Sequence, residues 1–190
     1  PEGRATGGEC RGDGAGQHPT QALLDLYTIE REFGRVDGVH VVIVGDLRYY
    51  RAARSLSYLL GKYDKVKITG VSLPELRMGD ELREYLKEKG VEYNEADSLK
   101  DAMKYGDVIY QTRIQKERLS EEAYKNAKGQ YIIDREMADS MKEGSIIIHP
   151  LPRVGEITPE VDDSPHAVYF RQVGYGVIVR MALLSKLLGA

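Results

Sequence analysis

Two patterns of apolar residues alternate along this chain, one typical of strands and the other typical of helices. The run VHVVIVGD at residues 39–46 is almost continuously apolar and rich in β-branched side chains, which is typical of a strand buried on both faces of a sheet. The segment before it repeats apolar residues at spacings of four, three and four, which places them on one helical face. These residues are Ala22, Leu26, Ile29 and Phe33. The pattern therefore predicts a helix over residues 19–34, followed by a buried strand.

The same alternation of helix and strand patterns continues towards the C-terminus. Further strands are predicted at residues 66–72, 91–96, 107–112 and 145–150. Further helices are predicted over about residues 51–62, 81–90, 98–106, 136–144 and 176–188. Strands that alternate with helices form a mostly parallel sheet. The predicted fold class is therefore α/β, a three-layer Rossmann-like parallel sheet with helices on both faces. Ligands of such sheets bind at the carboxyl ends of the strands.

Composition and charge limit the classes of function. The chain has 190 residues and a formal net charge of −3, so neither a nucleic acid nor an anionic membrane surface would attract it over long range. Its longest apolar runs are far shorter than the ~20 residues of a membrane-spanning helix. The single cysteine, Cys10, cannot form an internal disulfide, which indicates a reducing, cytoplasmic setting. Residues 1–12 are glycine-rich and poor in large apolar side chains, so we expect a poorly ordered lead-in.

Four segments fall where a ligand of this sheet would bind, and the first is GDGAGQHPTQ. It opens the first predicted helix with His18 at the N-terminal threshold, where free N–H groups and the helix dipole favour an anion or a polarised oxygen. His18 could donate a hydrogen bond to a carbonyl oxygen on which negative charge develops. The alternative is a glycine-rich turn with a capping histidine.

Arginines mark the second and third segments. TRIQKER places Arg113 four residues before Glu117. On a helix, the carboxylate would hold the guanidinium in place for a carboxylate or phosphate ligand. RYYR places Arg48 and Arg51 just after a predicted strand end. The alternative for both segments is a solvent-exposed charged face.

The fourth segment is HPLPR, where two prolines bracket Leu151 directly after a buried strand. Proline fixes its own backbone angle, and an X-Pro bond can be cis. A backbone fixed in this way would hold the Leu151 carbonyl outward as an acceptor for an amine or amide N–H. The alternative is an ordinary tight turn.

Other kinds of active site have no signature in this sequence. The four histidines are scattered without metal-ligand spacing, and no GxGxxG follows the first strand. No nucleophile paired with a base and no Walker loop is recognisable. We therefore predict no metal and no cofactor. A site built from hydrogen-bond donors and cations suits a polar, anionic substrate and a reaction driven by positioning and oxyanion stabilisation.

Together these segments resemble the aspartate carbamoyltransferase family, catalytic chain. GDGAGQHPTQALLDL, VGDLRYYR, YQTRIQKERL, HPLPRVGEI, VYFRQV and VRMALL occur in the family's order and spacing, over nearly everything from Gly12 to Gly189. The resemblance implies transfer of the carbamoyl group of carbamoyl phosphate to L-aspartate, early in de novo pyrimidine biosynthesis. It also implies a homotrimer in the complete enzyme, with which regulatory chains can associate.

The resemblance assigns roles to individual residues around the carbamoyl group. His18 would polarise the carbamoyl oxygen, and Gln21 would contact the carbamoyl group. Leu151 would offer its carbonyl to the carbamoyl amine, ahead of a cis bond to Pro152.

On the aspartate side, the resemblance assigns binding of the substrate to Arg51, Arg113 and Gln115. Glu117 would orient Arg113. His18, Arg51 and Arg113 are thus the predicted catalytic residues.

Two positions depart from the family's usual GDLKYGRT pattern. Tyr50 stands where glycine is usual, and we expect it to crowd the aspartate pocket or to forbid a backbone angle that glycine takes easily. Ala52 stands where threonine is usual, which removes one polar contact.

The resemblance also predicts how the chain is divided. The family's N-terminal domain, which carries a Ser-x-Arg-Thr phosphate loop, has no counterpart here. Residues 13–34 are predicted to be a hinge helix from that missing carbamoyl-phosphate domain, residues 35–175 the aspartate-binding domain, and residues 176–190 a C-terminal interdomain helix. Apolar faces of the first and last helices would then be partly uncovered. They include Leu26, Ile178, Met181 and Leu188.

Several functions remain open on the sequence alone. The leading hypothesis is the aspartate-binding portion of a transcarbamylase, weakly active or inactive by itself, with a polar stretch at residues 113–130 that closes on ligand. The alternative is a non-catalytic pseudoenzyme or binding domain of the same fold, which Tyr50 and Ala52 favour. A dinucleotide-binding oxidoreductase is a third reading, opposed by the missing phosphate fingerprint. Ornithine enzymes resemble the chain less, because they carry HPCQ where this chain has HPTQ and Cys-Leu-Pro where it has Pro150-Leu151-Pro152. Arg51 and Arg113 would also repel a cationic substrate.

Overall fold

The structure is a computed structural model that describes residues 16–114, 121 and 129–189. The strands are β1 His40–Val44, β2 Lys67–Val71, β3 Glu92–Glu95, β4 Val108–Gln111 and β5 Ile146–Ile148. The helices within these ranges are α1 Pro19–Phe33, α2 Arg51–Leu60, α3 Asp80–Glu88, α4 Leu99–Met103, α5 Arg135–Asp139 and α6 Tyr169–Leu188. The five strands form one parallel sheet in the order β3-β2-β1-β4-β5.

The central strand β1 shows why the sheet is covered on both faces. Its residues from Val41 to Val44 are fully buried. Val41 and Ile43 belong to a core shared with α1, α2 and α3, whereas Val42 and Val44 belong to a second core shared with α4 and α5. Because successive side chains of a strand face opposite sides, the molecule has three layers. The predicted α/β fold class is confirmed.

The last helix is longer than the sequence pattern predicted. It begins at Tyr169, seven residues before the predicted start at residue 176. Two glycines in this region, Gly174 and Gly176, resemble helix breakers in the sequence. In the fold, Gly176 instead lets α6 approach α1, because a Cβ at this position would lie 3.3 Å from Leu24 Cδ2.

Helix α1 is held between α2 and α6. Tyr27 of α1 and Tyr175 of α6 stack edge to face with ring centroids 5.6 Å apart, and Arg171 of α6 forms an ion pair with Glu32 of α1 at 3.3 Å. The prediction that Leu26 is uncovered is wrong, since this residue is 9% exposed and packs in the first core. Helices α1 and α6 thus pack against each other within this chain.

Part of α6 is uncovered in this chain, as predicted. Ile178, Met181 and Leu188 are 51%, 65% and 81% exposed. Further apolar residues on the same helix share this exposure. They are Phe170, Val173, Val177, Leu184 and Leu187.

Candidate active site

The carboxyl ends of three neighbouring strands meet at one edge of the sheet. The parallel register pairs Val44 with Gln111 and Tyr110 with Ile148, so β1, β4 and β5 end side by side. Strand β1 has β2 on one side and β4 on the other, and the strand order reverses between β1 and β4. Doubly wound sheets bind ligands outside such a switch point. The predicted segments after β1, β4 and β5 therefore lie at one edge.

A tight turn after β1 ties two of these segments together. Gly45 has a φ of 107°, and a Cβ there would lie 2.6 Å from Thr112 Oγ1 and 2.7 Å from the Thr112 carbonyl oxygen, so only glycine fits. The Asp46 amide donates to Thr112 Oγ1 at 3.1 Å. Asp46 Oδ1 accepts from the amides of Arg48 and Tyr49 at 3.1 and 2.8 Å. The loop after β1 is thereby fixed against the loop after β4.

Two predicted cations border this edge. Arg113 directly follows the carboxyl end of β4 and is partly exposed. Arg51 is the first residue of α2 and is exposed. Its side chain lies against the backbone that leads into α1, because a Cβ on Gly16 would be 3.6 Å from Arg51 Cδ. Both cations therefore lie at the end of the sheet where an anionic ligand would bind.

His18 is held at the start of α1 through its backbone. Its amide donates to Ser55 Oγ at 2.8 Å, and that hydroxyl donates to Gln17 Oε1 at 2.5 Å. The His18 side chain makes no capping hydrogen bond to α1. The alternative of a capping histidine is therefore wrong. Burial, and then the positive charge of Arg51, lowers the pKa of His18. At neutral pH the imidazole is therefore uncharged and can donate one hydrogen bond.

Gln21 lies one turn further along α1 and is buried. Its Nε2 donates to Asp25 Oδ1 at 2.7 Å, and Asp25 also accepts from Tyr110 and Gln172. Burial raises the pKa of Asp25 to about 7, although these three hydrogen bonds act in the opposite direction. The Gln21 amide is thus oriented by a buried carboxyl group.

The turn after β5 is held by a histidine and a glutamate. The Leu151–Pro152 peptide bond is cis, as the resemblance implied, and Leu151 has a φ of 45°, which is rare for a residue with a side chain. The Leu151 amide donates to His149 Nδ1 at 2.8 Å. Nδ1 is therefore the acceptor, and His149 Nε2 carries the proton that it donates to Glu156 Oε1 at 2.7 Å.

Glu156 completes this arrangement. Burial alone would raise the pKa of its carboxyl, but hydrogen bonds from His149 and from the Val154 amide hold the pKa below its usual value. Glu156 is therefore ionised at neutral pH. The structure thus fixes the Leu151 amide through a buried imidazole and a carboxylate.

The two departures from the family pattern have different surroundings. Tyr50 has φ −75° and ψ 106°, so the expectation that it strains the backbone is wrong. Its ring is partly buried against the first core. The charges of Arg113 and Glu156 act on its hydroxyl. Ala52 is 3% exposed within the same apolar core. The crowding predicted for Tyr50 stays a prediction.

Sequence reasoning missed several residues that support this edge. Asp25, Ser55, Glu156 and Gln172 make the contacts that orient predicted site residues. One signal was available, because Asp25 lies four residues after Gln21 and within the apolar face of α1. A carboxylate at such a position is buried only when it has hydrogen-bond partners.

Two predicted site residues, Gln115 and Glu117, lie outside the described residues. Most of the stretch at residues 113–130, which was predicted to close on ligand, also lies outside them. In the part of the chain that the structure describes, no group of three or more His, Cys, Asp or Glu side chains could hold a metal ion. Within the same part, no helix has the length and apolar character needed to cross a membrane.

Comparison with known proteins supports the resemblance to carbamoyltransferases over most of the chain. The family model for the aspartate/ornithine carbamoyltransferase Asp/Orn binding domain matches residues 37–187. Aspartate carbamoyltransferase 2, chloroplastic, from Pisum sativum is 51% identical over 179 residues, which cover 93% of this chain and 46% of that protein.

Solved structures agree with the sequence comparisons. The catalytic subunit of Methanocaldococcus jannaschii aspartate transcarbamoylase superposes with a TM-score of 0.87 and 50% identity, covering 94% of this chain and 58% of the subunit. Aspartate transcarbamoylase from Trypanosoma cruzi in complex with carbamoyl phosphate and aspartate has a TM-score of 0.82 and 40% identity, covering 90% of this chain and 56% of that one. The chain spans about half the length of the relatives it matches.

Proposed function

Because the chain belongs to the aspartate/ornithine carbamoyltransferase family, we propose that it is the aspartate-binding portion of an aspartate carbamoyltransferase. The complete enzyme would transfer the carbamoyl group of carbamoyl phosphate to the amine of L-aspartate, giving N-carbamoyl-L-aspartate and phosphate. One observation carries this proposal. The edge formed by β1, β4 and β5 brings cations next to an orienting network that includes Gln21 and Leu151.

The proposed reaction depends on hydrogen bonds from this chain to the carbamoyl group. The uncharged amine of L-aspartate attacks the carbamoyl carbon, the new C–N bond forms, the C–O bond to phosphate breaks, and the proton that the amine loses passes to the departing phosphate. Neutral His18 would donate a hydrogen bond to the carbamoyl oxygen, on which negative charge develops. Gln21 and the Leu151 carbonyl would hold the carbamoyl group in the orientation for attack.

Two cations support aspartate as the acceptor within a family that also includes ornithine enzymes. Arg51 and Arg113 would bind the two carboxylates of aspartate through charge-assisted hydrogen bonds. Ornithine brings a cationic side chain to the same place, and both guanidinium groups would repel it. Gln115 and Glu117 keep their proposed roles as a ligand of aspartate and a support for Arg113.

The partner that the proposal requires is the other half of the enzyme. The relatives are about twice as long as this chain, and the part of them that it does not match would include an N-terminal domain that binds the phosphate of carbamoyl phosphate. The exposed apolar residues of α6 would pack against it. We further propose a homotrimer in the complete enzyme, with which regulatory chains can associate, acting in pyrimidine biosynthesis in the cytoplasm.

One observation favours a second candidate, a pseudoenzyme of the same fold. Tyr50 brings a partly buried aromatic ring to the edge where aspartate would bind, within the electrostatic reach of Arg113. If this ring excludes aspartate, the fold would be retained without turnover. Replacement of Tyr50 by glycine would then create an aspartate-dependent activity that the parent lacks.

The proposal can be tested in a chimera. Residues 16–189 of this chain would replace the matching part of the M. jannaschii catalytic subunit, and carbamoylation of L-aspartate and of L-ornithine would be compared. We expect product from aspartate only, and a loss of about a hundredfold or more in kcat/KM for Arg113→Gln. Arg35→Gln is the matched control, since Arg35 precedes β1 and donates to the Asp37 carbonyl away from the site. Carbamoylation of ornithine, or of neither amino acid, would overturn the proposal.

A further inference from the structure

A buried carboxyl group joins the two segments that would hold the carbamoyl group. Asp25 in α1 is fully buried, and three neutral side chains donate hydrogen bonds to it. Its Oδ1 accepts from Gln21 Nε2 at 2.7 Å and from Gln172 Nε2 at 2.6 Å. Its Oδ2 accepts from the Tyr110 hydroxyl at 2.8 Å. Asp25 therefore binds groups from α1, β4 and α6 at the same time.

The hydrogen bonds continue from Gln172 to the turn after β5. Gln172 is 1% exposed, and its Oε1 accepts from the His149 amide at 3.2 Å. His149 Nδ1 in turn accepts from the Leu151 amide at 2.8 Å. A continuous path of buried or partly buried hydrogen bonds thus runs from Gln21 through Asp25 and Gln172 to Leu151.

A carboxylate has a property at this place that an apolar side chain lacks. In the ionised form its oxygens can only accept hydrogen bonds, so both glutamines then turn their NH₂ groups towards Asp25. This orientation leaves Gln172 Oε1 facing the His149 amide, as observed. One residue therefore fixes which way two amide groups point.

Burial of this group is unfavourable for stability alone. A carboxyl removed from water without a cation beside it is destabilising relative to an apolar residue of similar size. Helix α1 already has a large apolar contact surface through Ala22, Leu26 and Ile29. Packing therefore does not account for an acid at this position.

We propose that Asp25 is a positioning residue that holds Gln21 and the Leu151 turn in one fixed arrangement around the carbamoyl group. This inference rests on the proposed function for what Gln21 and Leu151 bind. Asp25 and Gln172 touch no substrate, and they act through the residues that do.

The first test measures kinetics in the chimera. Gln172→Met keeps the length of the side chain and removes both of its hydrogen bonds, so kcat should fall about tenfold or more while the KM for aspartate changes less than about twofold. Thr28→Val is the matched control. Thr28 is a buried residue of α1 whose hydroxyl donates only to the Leu24 carbonyl at 2.8 Å, and its replacement should leave kcat unchanged.

Conservative replacement of Asp25 provides a second kinetic arm. Asp25→Asn retains an oxygen that can accept from Gln21 and Gln172, while its NH₂ group faces the Tyr110 hydroxyl, which can accept instead. We expect kcat within about threefold of the parent. Asp25→Leu removes the acceptor and should lower kcat about as much as Gln172→Met does. If Asp25→Leu does not fold, the comparison of Gln172→Met with Asp25→Asn decides alone.

A readout independent of turnover separates this inference from the proposed function. In NMR spectra of the ¹⁵N-labelled chain, Gln172→Met should shift both the Gln21 side-chain amide and the Leu151 backbone amide, and Thr28→Val should shift neither. An active parent whose kcat is the same in Gln172→Met and Thr28→Val would overturn the inference alone. An inactive parent would overturn the proposed function, and unmoved Gln21 and Leu151 signals would then overturn the inference as well.

Discussion

The carboxyl group of Asp25 titrates in a range where most aspartates are already ionised. Burial raises its pKa to about 7, compared with about 3.9 in an unfolded chain. Between these values the folded state retains a proton that the unfolded state has lost. The stability that this proton provides is complete below about pH 4 and is lost as the pH rises through about 7.

This titration gives a prediction for the stability of the chain. Asp25→Asn cannot ionise, so its free energy of unfolding should rise relative to that of the parent between pH 4 and pH 8, by at most about 4 kcal/mol. Urea unfolding at a series of pH values measures the difference. Parallel curves for the two proteins would contradict a raised pKa, whatever their absolute stability.

Individual site residues differ in how far the sequence revealed them. The spacing after each strand indicated Arg51 and Arg113, because a rule about strand ends applies to any parallel sheet. The contacts of Asp25 and Gln172 could not be predicted, since 147 residues separate them and only packing of α6 against α1 brings them together. Their roles depend on tertiary contacts that a local pattern does not contain.

At the scale of elements, the junction of α1 and α2 positions His18. Ser55 of α2 is the link, because its hydroxyl accepts from the His18 amide and donates to Gln17. Ser57, two residues further along α2, provides a comparison. Ser57 is equally buried, and its hydroxyl donates only to the Ala53 carbonyl of its own helix at 2.9 Å.

These two serines provide a matched pair. In the chimera, Ser55→Ala should lower kcat about tenfold, because His18 loses its anchor and moves relative to the carbamoyl oxygen. Ser57→Ala should change kcat less than about twofold, although it also removes a buried hydroxyl. Steady-state kinetics measure both. Equal effects of the two substitutions would show that the link between α1 and α2 does not position the site.

Helix α6 has two faces with opposite roles. Val179 is 9% exposed, whereas Met181 is 65% exposed. Met181→Lys should leave the unfolding temperature nearly unchanged and reduce self-association of the chain, because the residue has little packing to lose and contributes to an exposed apolar face. Val179→Lys should destabilise the fold by several kcal/mol.

Thermal unfolding and sedimentation velocity would measure these effects. Loss of stability in Met181→Lys would show that the exposed residues of α6 already have a role within this chain. The start of α6 was the element most poorly predicted from the sequence. Gly174 and Gly176 interrupt the apolar pattern, yet the helix continues through both, and at Gly176 it passes close to Leu24 of α1.

At the scale of the whole molecule, the sequence predicted the architecture well. Continuous β-branched runs identified the buried strands, because a parallel sheet covered on both faces excludes polar residues from its centre. The order of strands in the sheet was not predicted, since it depends on which loops cross over β1. Only this order shows that the ends of β1, β4 and β5 lie side by side at one edge of the sheet.

The chain is similar to about half of each relative. If it is the aspartate-binding half of a carbamoyltransferase, it should have little or no turnover alone. The phosphate of carbamoyl phosphate would be bound by the other half. Activity should therefore require both halves in contact.

The most direct measurement mixes this chain with the separately produced N-terminal part of the M. jannaschii catalytic subunit and follows carbamoyl aspartate. Sedimentation velocity would first establish that the two proteins associate. The assignment of this chain as the aspartate-binding half requires product from the mixture well above the sum of the two parts alone. Associated halves without product would contradict it, as would turnover by this chain alone at an ordinary enzymatic rate.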